Sequence, residues 1–181
     1  MRLMLPGETI PKRHDLNPWL RRGWFGVVVV CTVRNPLDAI ASSLRRYGLE
    51  ASDSAIDSQI GEFRRNGMEE LPALMPREHA LVLRYEQFYR DFDELFNQLE
   101  TFLQVPADSS LRQSFQTEFA ASRVKERSDQ LGAFENFSAE DFIHGGHVSE
   151  RLGEPGGHAD VLDDHAVRRI REAFAWHFET F

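Results

Sequence analysis

Residues 27–33 read Val-Val-Val-Val-Cys-Thr-Val, a continuous β-branched and apolar run of the kind carried by a strand covered on both faces in a parallel sheet. Residues 80–85, Ala-Leu-Val-Leu-Arg-Tyr, give a second such strand. Between the two runs the period changes. Leu37, Ile40, Ala41, Leu44 and Tyr47 fall on one helical stripe, and Ile56, Ile60 and Phe63 on a weaker one. Strand, helices, strand predicts a right-handed crossover joining parallel neighbours. Farther on, Phe92, Leu95, Phe96, Leu99, Phe102 and Leu103 mark a strongly amphipathic helix stopped by Val105 and Pro106. Another helix is expected over 110–120. A last one starts near Asp164, with Val167, Ile170, Phe174, Phe178 and Phe181 turned inward. Residues 125–160, rich in Gly, His and acidic side chains, are expected to form a long loop, a type of segment that often carries function.

Composition narrows the classes. A chain of 181 residues with 41% hydrophobic content reads as one domain, 1–181, with its own core. Lys and Arg number 21 against 29 Asp and Glu, a net charge of -8, which argues against broad binding to nucleic acid or to an acidic membrane surface. Any anion site has to be local. The one cysteine, Cys31, lies inside the first apolar run and reads as a small core residue suited to a reducing compartment. The longest apolar stretch, 25–31, is too short to span a bilayer, and the start of the chain lacks the layout of a signal peptide. A soluble cytoplasmic protein is the expectation.

The candidate chemistry sits where elements change. After the first strand, Asn35 suits an N-cap, Pro36 the first helical position and Asp38 the acid of a capping box. Arg34 thus stands beside a helix N-terminus, with Ser42 two helical turns along, and together they can hold a phosphate. A surface ion pair at Arg34 and a solvated Ser42 fit the same spacing. Lys12 and His14, two apart, share a face of an extended segment. Arg151, Gly153 and Gly156 lie in a turn whose glycines permit close backbone approach to an anion. Tyr85 and Glu86 end the second strand, the edge at which open parallel sheets place ligands. His144, His147 and His158 lack the cysteine or nearby carboxylate of a recognisable metal site, so no metal is expected. Phe134, Phe137 and Phe142 either line an apolar acceptor pocket or anchor their segment to the core.

The stretch Val-Val-Val-Val-Cys-Thr-Val-Arg-Asn-Pro-Leu-Asp-Ala-Ile-Ala-Ser resembles the 3′-phosphate-binding element of sulfotransferases that use 3′-phosphoadenosine 5′-phosphosulfate. Three further segments follow the family order. "IPKRHDLNPWL" is similar to the catalytic Lys-x-His strand end, "LVLRYEQF" to the Tyr-Glu strand end, and "RLGEPGGH" to the C-terminal Arg-x-Gly-x-x-Gly phosphate loop. The resemblance implies an α/β domain, a three-layer parallel sheet of the P-loop nucleotide-binding type, and a metal-free transfer of a sulfuryl group to a hydroxyl or amine of a small-molecule, carbohydrate or peptide acceptor. It implies His14 as general base, Lys12 on the transferring group, and Arg34, Ser42, Arg151 and Gly153 around the 3′-phosphate. Tyr85 would face the adenine region and Ser122 would be a further nucleotide contact.

The chain departs from the family pattern at several points. Arg13 replaces the usual Thr, Leu152 stands in place of a second basic residue, and Glu154 adds a negative charge beside the loop. The Ser/Gly/Thr-rich loop that grips the 5′-phosphosulfate in the family should precede Lys12 by several tens of residues. Residues 1–11 contain no such loop, so the fold is expected to be incomplete at its N-terminus. A second chain supplying the strand and loop, or a non-catalytic nucleotide-binding or protein-interaction module, are the alternatives.

Overall fold

The computed structural model describes residues 28–140, 143–146 and 148–181. Strands β1 (Val29–Val33) and β2 (Ala80–Arg84) lie side by side in parallel, with Val29 opposite Ala80 and Val33 opposite Arg84. Val29 and Val33 are buried, Val30 and Cys31 half-buried and Thr32 exposed, so the described helices enclose β1 less completely than its run of valines predicts. The Cys31 thiol donates to the Leu81 carbonyl at 3.7 Å, and burial pushes its pKa up to about 11, which leaves it an unreactive packing group.

The connection from β1 to β2 is helical: α1 (Pro36–Arg46), α2 (Asp53–Arg65), a 3₁₀ turn (Met68–Glu70) and α3 (Leu71–Leu74). Asn35 caps α1 by accepting from the Leu37 amide at 3.0 Å, with Pro36 in the first turn where its missing N–H costs nothing. After β2 come α4 (Tyr85–Phe88), α5 (Phe92–Leu103) and α6 (Ser109–Glu118). Asp91 and Asp108 cap α5 and α6 through the Glu94 and Leu111 amides. Then follow α7 (Ala121–Leu131), a small antiparallel pair of β3 (Phe137–Ser138) and β4 (Ile143–His144), a 3₁₀ turn (Gly157–Asp160), α8 (Asp164–Ala173) and α9 (Ala175–Thr180).

The core forms where three helices meet. Leu37, Ile40, Ala41 and Leu44 of α1 pack with Ile56 and Ile60 of α2, with Ala166 and Ile170 of α8, and with Leu162 and Phe174 just outside its two ends. Each large aliphatic side chain buried this way contributes about 1.5–3 kcal/mol. Tyr47 does not join the α1 stripe. It is the C-cap, 52% exposed, because the helix ends one residue before it. A second cluster forms around Phe115 of α6, whose ring lies 5.2 Å from Phe92, 5.4 Å from Phe96 and 4.4 Å from Phe119. Of the apolar stripe on α5, Phe96 is buried and Leu103 is exposed.

Residues 125–160 are not one long loop. Helix α7 runs to Leu131, and its inward position is Ser128, fully buried, whose hydroxyl donates to the His144 carbonyl at 2.8 Å and ties the β3–β4 pair to the helix. The final helical pattern is also interrupted, at Phe174, where α8 stops and α9 begins. No helix among the described residues is long and apolar enough to cross a membrane.

Candidate functional site

Arg34 leaves β1 at the mouth between the two strands. Its guanidinium lies 4.7 Å from the centre of the Tyr85 ring, and Nη2 donates to the Gly153 carbonyl at 3.3 Å. Its Nε is buried and has no hydrogen-bond partner among the described residues. The Tyr85 hydroxyl donates to the same Gly153 carbonyl at 3.0 Å. Burial pushes the pKa of this phenol up, against the pull of the Arg34 charge, so the hydroxyl keeps its proton and remains a donor.

The helix start is assembled differently from the sequence expectation. The Asn35 amide donates at 2.7 Å to Glu86 Oε1, a carboxylate arriving from the end of β2. Glu86 therefore does the work expected of Asp38, and the Asp38 carboxylate turns away from its own helix end. Asp38 Oδ2 accepts from the Gly156 amide at 2.8 Å, while Oδ1 accepts from the His158 amide at 3.0 Å and faces His158 Nδ1 at 2.9 Å. Burial raises the pKa of this carboxyl, but the Gly156 amide and the ring and amide of His158 outweigh that and hold it below the usual range. A buried charge is kept because donors surround it.

The segment that meets Asp38 is the Gly-rich turn near residue 153. Leu152, Gly153 and Gly156 have φ of 52°, 77° and 87°, which folds the backbone back on itself. Arg45 Nη2 donates to the Gly157 carbonyl at 2.8 Å. Asp160 lies between two arginines, 2.8 Å from Arg151 and 3.5 Å from Arg45, and Glu154 is 3.9 Å from Arg151.

These pieces border a cavity of about 300 Å³. Its lining carries four arginines, Arg34, Arg45, Arg46 and Arg151, with Ser42 and Ser149 and two carboxylates, Asp38 and Glu154. Tyr85, Phe88, Tyr89, Phe92 and Phe119 add aromatic surface to the same lining, with the Arg34 guanidinium over the Tyr85 ring. This mixture suits a ligand that combines an anionic group with a flat apolar body. A larger groove of about 680 Å³ runs between α6 and α7 past Gln113, Thr117 and Glu126, but it is open and includes none of the strand-end residues.

Arg34, Ser42, Tyr85, Arg151 and Gly153, the residues singled out by sequence, thus line one space. Ser122 is exposed in the first turn of α7, and the lining residues there are Ala121 and Val124. Lys12, His14, Phe142 and His147 lie outside the described residues. Arg45 was missed, although it falls three residues after Ser42 and so on the same helix face. Beyond Tyr85, the aromatic residues Phe88, Tyr89, Phe92 and Phe119 had no shared sequence signal, because they are drawn from α4, α5 and the ends of α4 and α6.

The histidines are used separately: His158 on Asp38, and His144 with its Nδ1 3.0 Å from the Phe134 carbonyl and its ring stacked 4.5 Å from that of Phe134. Among the described residues no cluster of three His, Cys, Asp or Glu could hold a metal ion. Phe134 and Phe137 pack on His144 rather than line the cavity, so they anchor the small strand pair. Compared with known proteins, the chain matches no family model, no curated protein and no solved structure.

Proposed function

We propose that this chain is a sulfotransferase-type domain whose strand-end cavity takes the 3′-phosphoadenosine portion of 3′-phosphoadenosine 5′-phosphosulfate. The observation that carries the reading is the convergence of Arg34 and Ser42 with Arg151 and Gly153, from the far end of the chain, on one cavity at the carboxyl edge of a parallel strand pair. The fit to a phosphate rests on the guanidinium of Arg34, which lines the cavity beside Ser42 and Arg151 and supplies the positive charge a phosphate needs. On this reading β1 and β2 belong to a wider parallel sheet of the P-loop type.

The bound donor supplies the sulfuryl group to the acceptor oxygen or nitrogen, the bond from sulfur to the 5′-phosphate oxygen breaks, and 3′,5′-adenosine bisphosphate is the leaving group. Arg34 and Arg151 hold the 3′-phosphate by charge-assisted hydrogen bonds, Ser42 adds a hydroxyl donor, and the aromatic side chains stack the base. His14 takes the proton of the acceptor hydroxyl or amine, and Lys12 offsets charge on the reacting oxygens, as the resemblance of "IPKRHDL" implies. A histidine fits the first task because its ordinary pKa of about 6.5 leaves it able to accept a proton near neutrality.

Calorimetric titration of the 181-residue chain with 3′,5′-adenosine bisphosphate tests the site. Saturable binding is expected, weakened at least tenfold, about 1.4 kcal/mol, by Arg34→Ala. A folded chain that shows no binding, or an Arg34→Ala variant that binds as the parent does, rejects the assignment. His14→Ala is expected to keep nucleotide binding and lose transfer, and turnover retained in that variant removes His14 from the role of base.

A further inference from the structure

A carboxylate in the lining of an anion cavity opposes its ligand unless its charge is spent elsewhere. Asp38 is such a carboxylate, 2% exposed and bordering the same space as Arg34 and Arg151. Both of its oxygens are turned onto the Gly-rich segment, where they meet the Gly156 amide, the His158 amide and the His158 ring. We propose that Asp38, with His158 as its partner, is the positioning residue of this cavity: it fixes the 151–158 segment against α1 so that the Gly153 carbonyl meets Arg34 and Arg151 lines the same space.

The geometry gives the reason. The segment is held to the strand ends at three separate points. Gly153 offers its carbonyl to Arg34 and Tyr85, Gly157 offers its carbonyl to Arg45, and Gly156 and His158 offer their amides to Asp38. The first two ties run from side-chain donors to backbone acceptors and the third from backbone donors to a side-chain acceptor, so the turn cannot slide along α1 without breaking bonds of opposite polarity together. Gly157 also leaves room for Arg151, because a Cβ there would lie 3.3 Å from the Arg151 Nε. Of the three ties, the one to Asp38 ends on a buried carboxylate and is the one a neutral side chain cannot reproduce. Asparagine would keep one acceptor oxygen for three donors and set an NH₂ against an N–H.

The proposal rests on the reading of the cavity as an anion site, and the test separates the two. Asp38→Asn is expected to weaken 3′,5′-adenosine bisphosphate binding about tenfold with the folded state retained, and to add little further loss in an Arg151→Ala background, because it acts through the placement of that arginine. Equal losses in both backgrounds, or unchanged binding in Asp38→Asn, overturn the positioning role. If the parent chain binds no bisphosphate, the anion reading fails by itself. Amide hydrogen exchange then decides for Asp38: loss of protection confined to 151–160 supports the tie, and unchanged protection rejects it. Should Asp38→Asn not fold, His158→Ala, which keeps both backbone donors, takes its place. It is expected to weaken binding about threefold in the parent and not at all in Arg151→Ala, and any other pattern counts against the proposal.

Discussion

Gly153 meets two demands at one atom. Its φ of 77° lies where a Cβ is strained, and a Cβ built there would sit on the Tyr85 hydroxyl. Gly153→Ala is therefore expected to cost about 1–3 kcal/mol locally and to weaken bisphosphate binding. Gly153→Ala combined with Tyr85→Phe should recover part of both, since the hydroxyl is the obstacle. Thermal melts with calorimetry on the two variants check this, and a double variant no better than the single one would point to backbone strain alone. At this scale much of the cavity was readable. Arg34, Tyr85, Arg151 and Gly153 announce themselves by standing next to a strand end or a glycine turn. The part played by Asp38 did not, because a local cap and a cross-chain tie use the same carboxylate at the same position, and only three-dimensional packing tells them apart.

Among the elements, those with strong apolar periodicity were legible and those stabilised by polar bonds were not. Helix α1 shows its buried face as Leu37, Ile40, Ala41 and Leu44, whereas α7 fills its inward position with Ser128, which a hydrophobic stripe cannot reveal. The break between α8 and α9 was hidden for the opposite reason: Phe174 continues the apolar pattern while ending the helix. Its ring is fully buried and lies 6.4 Å from that of Phe63 on α2. Phe174→Ala is expected to destabilise the fold by about 3–5 kcal/mol, read as a lowered midpoint in urea with an unchanged slope. A shift under about 1 kcal/mol would mean that the α2–α8 contact is not part of the core.

For the molecule as a whole, the charge of -8 coexists with a cavity lined by four arginines, Arg34, Arg45, Arg46 and Arg151, and two carboxylates, Asp38 and Glu154, of which Asp38 is turned onto backbone and ring donors. Stability responds to pH through a different group. His177 is buried, its Nδ1 has no partner among the described residues, and burial lowers its pKa to about 4, with Arg84 adding to the effect and Glu86 opposing it. The folded state resists a proton that the unfolded chain accepts near pH 6.5, so stability is full above that pH and falls as the pH drops toward 4, by on the order of 2–3 kcal/mol. Urea midpoints at several pH values check this. His177→Gln, which stays neutral, should flatten that part of the curve, and an unaltered slope would assign the loss to other groups.

The tie from Asp38 to Gly156 joins residues 118 apart. A ribosome adding about 5–20 residues per second makes these two ends on the order of 6 to 24 s apart. Throughout that interval the emerging chain carries Arg34 and its helix without the turn that completes their surroundings. The turn is thus a late arrival in the life of each molecule, and a chain stopped short of residue 151 would lack both that turn and the apolar residues of 162–174 against which α1 and α2 pack.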